Sequence, residues 1–174
     1  MLRKCVFFDR DGIVNRSPGL GYVTCLEDFE VLPEFIAALR NVKSHGYLAI
    51  VVSNQRGVAL GKMTIETVDR IHRFLRETLA TAGLALDAIY YCPHDNGECD
   101  CRKPSPGMLL RAAAEFGIDL SASWMIGDSL RDVVAGKRAG CRTVLVGDET
   151  GEVIPDYRLG SVAELPGFLS AHLD

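Results

Sequence analysis

An α/β fold, a doubly wound, Rossmann-like parallel sheet with helices on both faces, is what this chain of 174 residues predicts. Three observations carry that expectation. Five short runs, at 4–9, 48–53, 88–92, 124–127 and 143–146, are continuously apolar rather than alternating, as strands covered on both faces must be. The stretches between them place apolar residues at helical spacing. Strand after strand also ends on polar side chains: Asp9 and Asp11, Ser53 and Asn54, Cys92 and His94, then Asp128. In sheets of this kind ligands bind beyond the carboxyl ends of the strands.

The elements follow in order. The run from Cys5 to Phe8 drives straight into Asp9, Asp11 and Gly12. A helix over 33–45 opens on Pro33, whose fixed φ suits a first turn, turns Ile36, Leu39 and Val42 to one face, and stops at Gly46. After the strand at 48–53, a helix over 64–82 repeats Val68, Ile71, Leu75, Leu79 and Ala82, and Gly83 closes it. The strand at 88–92 leads into a loop rich in cysteine. A helix over 106–116 follows, with Ser105 as its N-cap and Gly117 behind it. The strand at 124–127 feeds a helix over 129–139 that ends at Gly140, and after 143–146 a last helix over 162–172 packs on the edge. No repeat, low-complexity tract or linker interrupts the chain, so residues 1–174 read as a single domain.

Composition excludes several classes. A net charge of −4 argues against a nucleic-acid binder, which needs a basic face. No apolar run approaches the ~20 residues of a membrane helix. The first residues, MLRKCVFFDRDG, have too short an apolar run for a signal peptide, so a cytoplasmic protein is expected. Nothing in the pattern argues for an assembly, and a monomer is expected.

Two constellations carry chemistry. Buried acids without partners are costly, so a strand delivering Asp9 and Asp11 needs a cation or a reaction to justify it. Taken singly, each strand-end signal reads as a turn or cap; taken together, they mark one shared site. The second constellation is CPHDNGECDCRKP, residues 92–104, where Cys92, His94, Cys99 and Cys101 fall within ten positions. Three thiolates and an imidazole at that spacing match a closed, structural Zn²⁺ site, with Asp95, Asn96 and Gly97 as the turn. Reduced thiols or a disulfide such as Cys92–Cys99 are the other readings. Cys5, Cys25 and Cys141 have no clustered partner and read as packing residues. Arg10 and Arg131 read as surface or sheet-rim charges, and His45, His72 and His172 are given no chemistry.

The motif D-x-D-G-x-x-N over 9–15, Ser53 in VVSNQ, Lys103 in CRKPSPGM and Asp128 in IGDSLRD resemble, in that order, the motifs of the haloacid-dehalogenase-like phosphatases. The resemblance implies that Asp9 attacks phosphorus and becomes an aspartyl-phosphate, and that Asp11 protonates the leaving alkoxide and then takes a proton from water. It implies Mg²⁺ on the Asp9 carboxylate, the Asp11 carbonyl and Asp128, with Ser53 and Lys103 easing the repulsion between carboxylate and phosphate. Asp132 is either a support of that metal shell or a first-turn acid facing the helix dipole. No long insertion follows Asn15 or Ser53, so no large cap domain is expected and selectivity falls to loops: Gly21 and Tyr22 in a flap, Asn54, Gln55 and Arg56, and Arg102. For Arg56 a solvated loop charge is an equal reading.

A zinc loop of the form C-x-H…C-x-C-R-K-P further resembles the branch holding the heptose-bisphosphate phosphatases and the histidinol-phosphate phosphatases. The segments 21–33, 53–64 and 103–110 are similar to the former, which implies a small phosphorylated sugar as substrate. The four residues between His94 and Cys99 are closer to the latter, and Ser129 and the segment 16–20 also depart from the heptose pattern. A non-catalytic, zinc-stabilised binding module is the reading from another class.

Overall fold

In the computed structural model, which describes residues 2–174, six strands form one parallel sheet. In chain order they are β1 (Cys5–Phe8), β2 (Leu48–Asn54), β3 (Ala88–Cys92), β4 (Trp124–Gly127), β5 (Arg142–Val146) and β6 (Tyr157–Leu159). Their spatial order is β3-β2-β1-β4-β5-β6. The chain winds outward from β1 to β3, then returns to the other side of β1 with β4, so the switch point lies between β1 and β4. All five neighbouring pairs are parallel.

Five α-helices cover the faces: α1 (Pro33–Ser44), α2 (Ile65–Thr81), α3 (Gly107–Phe116), α4 (Leu130–Ala139) and α5 (Leu165–His172). The period-2 geometry of a strand splits β1 cleanly between two cores. Val6 and Phe8 face α1, α2 and α5, among Phe35, Leu39, Ile71, Leu75 and Leu169. Cys5 and Phe7 face α3 and α4, among Met108, Leu109, Ala112 and Ala135. All four β1 side chains are fully buried; each phenylalanine contributes about 1.5–3 kcal/mol by that burial. Cys5 and Cys141 are core residues, as their isolation in sequence suggests, whereas Cys25 is half-buried and its thiol donates to Asp28.

Local rules set most boundaries. Thr64 caps α2 by accepting from the Thr67 amide, and Ser129 with Asp132 forms a reciprocal capping box at the start of α4. Gly136 lies against Met125 and Thr143, where a β-carbon would press into the sheet, so α4 can approach β4 and β5 closely. The expected cap of α3 is a correction. Ser105 is not its N-cap: the Ser105 amide closes a turn onto the Arg102 carbonyl, Pro106 takes the cap position, and no side chain caps the helix. The expected helix over 162–172 is a short 3₁₀ turn, Val162–Glu164, running into α5.

Strand β6 has no signal in the sequence. It has three residues, only Leu159 is buried, and the segment is held by Asp156, whose carboxylate accepts from the backbone and hydroxyl of Thr143 at 2.8 and 2.7 Å. Among the described residues no helix is long and apolar enough to cross a membrane, and no inserted helix or strand stands between β1 and α1 or between β2 and α2. The cleft above the sheet is therefore walled by loops and the first turn of α4, with no separate cap over it.

Candidate active site

The carboxyl ends of β1 to β4 open into one cleft of about 330 Å³. Asp9 and Asp11 enter it from β1, Asn54 from β2, Lys103 from the loop after β3, and Asp128 and Asp132 from the loop and helix after β4. Gly12, at φ +88°, makes the turn after β1, and any side chain there would collide with the Asp128 carboxylate. Glycine at this position is thus required by backbone conformation and by space together.

Lys103 organises the floor. Its ammonium, 2% exposed, donates to Asp9 Oδ1 at 2.7 Å and to the Val52 carbonyl at 2.8 Å, and lies 2.7 Å from Asp132 Oδ1. Burial alone would lower the Lys103 pKa, but the charges of Asp132 and Asp9 outweigh it and raise it. The acids are pushed the other way. Burial raises the Asp9 carboxyl well above the usual range, Lys103 opposes this, and Asp132, Asp128 and Asp11 add to it by repulsion. Asp128 is raised to about 6, first by burial and then by Asp132. Ligand oxygens of Asp9, Asp128 and Asp132 come within 4.8 Å of one another. Three carboxylates against one ammonium leave two negative charges, and an all-oxygen donor set of that charge fits a hard divalent cation. The third carboxylate of the set is Asp132. The Asp11 side chain lines the same cleft but is held by Arg10, Asn15 and Gln55 and is not one of this set.

The structure corrects the reading of Arg10 as a surface or rim charge. Arg10 is fully buried, with its guanidinium on the Asp11 carboxylate and its far nitrogen facing His72. Burial and the Arg10 charge push the His72 imidazole down to about 3. Two more expected contact residues lie beneath the cleft rather than on its wall. Gln55 is 1% exposed and its amide donates to Asp11 Oδ2 at 3.1 Å and Ser53 Oγ at 2.7 Å; Ser53 is equally buried. Asn54 reaches the cleft but spends its amide on the Lys103 backbone, donating to the carbonyl and accepting from the N–H, both at 3.0 Å.

The cysteine loop is a second cluster. Cys92 Sγ lies 3.4 Å from Cys99 Sγ, Cys101 Sγ is 3.2 Å from Cys99 Sγ, and His94 Nδ1 sits 3.5 and 3.4 Å from Cys92 and Cys101. Those separations are far beyond an S–S bond of about 2.05 Å. They are close to the edges of a tetrahedron built on Zn–S bonds of about 2.3 Å. Burial raises the Cys101 and Cys92 thiols, and in Cys101 the neighbouring sulfurs raise it further. Ionising all three thiols in this space requires a cation, and the donor set fits zinc.

This loop also holds two cleft arginines. Asp95 accepts from Arg56 Nε at 2.5 Å, and Asn96 Oδ1 accepts from Arg102 Nε at 2.8 Å. Arg102 lines the cleft, and its Nη1 is buried with no hydrogen-bond partner among the described residues. The flap brings Gly21 and Tyr22 to the cleft beside Arg56, the Tyr22 ring lying against Gly57, with Lys62 over that ring at 5.1 Å and Leu20 fully exposed. Sequence reasoning missed Ser17 and Arg131, which also line the cleft. The place of Arg131 in the first turn after the strand-end Asp128 was an available signal.

Comparison with known proteins agrees with this geometry. Residues 100–162 match the HAD-hydrolase-like family model. The chain is 41% identical over 178 residues to the D-glycero-beta-D-manno-heptose-1,7-bisphosphate 7-phosphatase of Pasteurella multocida, covering 95% of this chain and 96% of that one. The chain belongs to the heptose-bisphosphate phosphatase family. The Escherichia coli K12 member is 40% identical over 92% of this chain and 91% of its own. The crystal structure of D,D-heptose 1,7-bisphosphate phosphatase from B. bronchiseptica, complexed with magnesium and phosphate, superposes with a TM-score of 0.85 at 32% identity, covering 95% and 97% of the two chains. As a heptose-bisphosphate phosphatase family member the protein is a phosphoric monoester hydrolase of the haloacid-dehalogenase-like fold.

Proposed function

We propose that this enzyme removes the C7 phosphate of D-glycero-β-D-manno-heptose 1,7-bisphosphate through an aspartyl-phosphate on Asp9, with Mg²⁺ as cofactor. The observation that carries the reading is the Asp9 carboxylate at the cleft floor, aligned by Lys103 and crowded by Asp128 and Asp132. The relatives' names support the substrate, and the magnesium and phosphate bound by the B. bronchiseptica enzyme support the cofactor. Asp9 supplies the nucleophilic oxygen. Lys103 orients it and offsets charge gathered on the phosphoryl oxygens. Asp11 gives a proton to the C7 oxygen and later accepts one from the water that hydrolyses the acyl phosphate. Asp9, Asp128 and the Asp11 carbonyl, with Asp132 beside them, would hold Mg²⁺, and the ion would supply charge that lets a carboxylate meet a phosphate dianion. Ser53, under the cleft floor, fixes Gln55 and through it Asp11.

Selectivity follows from the walls. The guanidinium of Arg102, with Arg56 nearby, suits the oxygens of the second phosphate, and Gly21 and Tyr22 close over the sugar. Cys92, His94, Cys99 and Cys101 hold a structural Zn²⁺ that keeps this wall in place. The chain works as one domain, as a monomer, in the cytoplasm, where the six cysteines stay reduced. Phosphate release from both anomers of the heptose bisphosphate and from histidinol phosphate, with Mg²⁺ and with EDTA, tests the reading. Mg²⁺-dependent preference for the β-heptose is the expected result; preference for histidinol phosphate overturns the substrate.

A further inference from the structure

Arg10 is fully buried, carries a charge, and lies between two catalytic acids without lining the cleft. Its contacts therefore bear on the site only through what it touches. Nη2 donates to both oxygens of Asp11, at 2.9 and 3.2 Å, and Nε donates to Oδ1 at 3.2 Å. The opposite nitrogen, Nη1, faces His72 Nε2 at 3.4 Å. A guanidinium has only donors, so His72 meets it as an acceptor, neutral, with its proton on Nδ1. The guanidinium lies 5.5 Å from the Phe29 ring centroid, and Tyr91 stands edge-on to His72 at 5.3 Å. Every side of Arg10 is thus occupied, and one alignment of the fork is available.

We propose that Arg10, backed by His72 of α2, is the positioning residue of Asp11: the fork sets the direction of the carboxylate that moves protons in the reaction. Asn15 Nδ2 at 2.9 Å and Gln55 Nε2 at 3.1 Å complete the frame around the same two oxygens. A proton carrier must lie within hydrogen-bond reach of both the leaving oxygen and the incoming water, and a carboxylate on a short side chain just before the Gly12 turn has no such aim of its own. The inference rests on the role given to Asp11 above.

A double-mutant cycle on the full chain tests it, reading kcat and KM for phosphate release from the heptose bisphosphate. Arg10→Met is expected to lower kcat by about 30-fold, the scale of a small misplacement of a reacting group, with KM within about twofold. In an Asp11→Asn background the same substitution is expected to change the residual kcat less than about twofold, because nothing remains to be aimed. His72→Leu should lower kcat several-fold and His72→Gln, which keeps an acceptor, should restore it. Equal losses from Arg10→Met in both backgrounds, a loss confined to KM, or identical behaviour of His72→Leu and His72→Gln overturns the proposal. Should Arg10→Met not fold, the His72 variants in the two backgrounds carry the cycle. If Asp11→Asn alone keeps full activity, the role of Asp11 fails first and the proposal falls with it.

Discussion

The carboxylate cluster and the cysteine loop are both groups of potential metal ligands a short way apart, yet they are built oppositely. The loop draws all four donors from ten consecutive residues and closes them on one another, with donor atoms 3.2–3.5 Å apart. The carboxylates come from residues 9, 128 and 132, across the switch point between β1 and β4, and remain open to a cleft. A closed set of four protein donors leaves an ion no free position, so it can only hold structure. An open set with surplus negative charge has room for a phosphate as well as a cation, so it can do chemistry. Strand ends give openness because neighbouring parallel strands stop together and nothing packs above them.

Variants should separate the two clusters in order of effect. Asp9→Asn is expected to lower kcat roughly 10³-fold or more, since a nucleophile has no substitute, with Tm unchanged or raised because a crowded buried acid is gone. Loss of the fold in that variant would break the contrast. Cys99→Ser, or removal of zinc by a chelator, should act first on structure. Tm is expected to fall by roughly 5–10 °C, the shift that about 2–3 kcal/mol makes in a chain of this size. KM should rise more than kcat falls, because Asp95 and Asn96 would release Arg56 and Arg102. A Cys99→Ser enzyme with normal Tm and KM would show the loop to be idle.

Smaller effects sharpen the comparison. Asp128 is raised from 3.8 to about 6 in the folded chain, so it binds its proton more tightly folded than unfolded. Its contribution is therefore fully present below about pH 4 and lost as pH rises through about 6, which costs about 2–3 kcal/mol in metal-free protein. Thermal melts from pH 4 to 7.5 should show that decline without metal, Mg²⁺ should reverse it, and Asp128→Asn should make it shallower, leaving the part that the raised Asp9 carboxyl contributes. Smallest is Asp95→Ala. The ion pair with Arg56 is exposed to solvent screening and adds little stability, so Tm should hold while KM for the bisphosphate rises about three- to tenfold. An unchanged KM would return Arg56 to the standing of a solvated loop charge.

How much of this was legible differs by element. The strands at 88–92 and 124–127 match β3 and β4 residue for residue, and the others shift at most by a residue at either end, because continuous apolar runs between turn residues leave little choice. The starts of α1 to α4 were legible to within a residue, but the cap of α3 was not, because Ser105 is spent on a turn that its own spacing does not reveal. Arg10 was misplaced for a related reason: an arginine between two aspartates has the local composition of a solvated turn, and only the approach of His72 and Phe29 from distant segments shows it to be enclosed.

By itself the sequence determined what depends on near neighbours: the alternation of strands and helices, the delivery of Asp9, Asp11 and Asp128 to strand ends, and the gathering of four donor side chains in the cysteine loop. Period and spacing act over a few residues, and these features need nothing longer. Only the tertiary structure decided which charges meet. It put Lys103 between Asp9 and Asp132, sank Gln55 beneath the cleft to hold Asp11, tied Arg56 to Asp95, and added β6 to the sheet edge through Asp156. The energy of a charged or polar group is set by its burial and by the partner facing it, and both come from elements far apart in the chain.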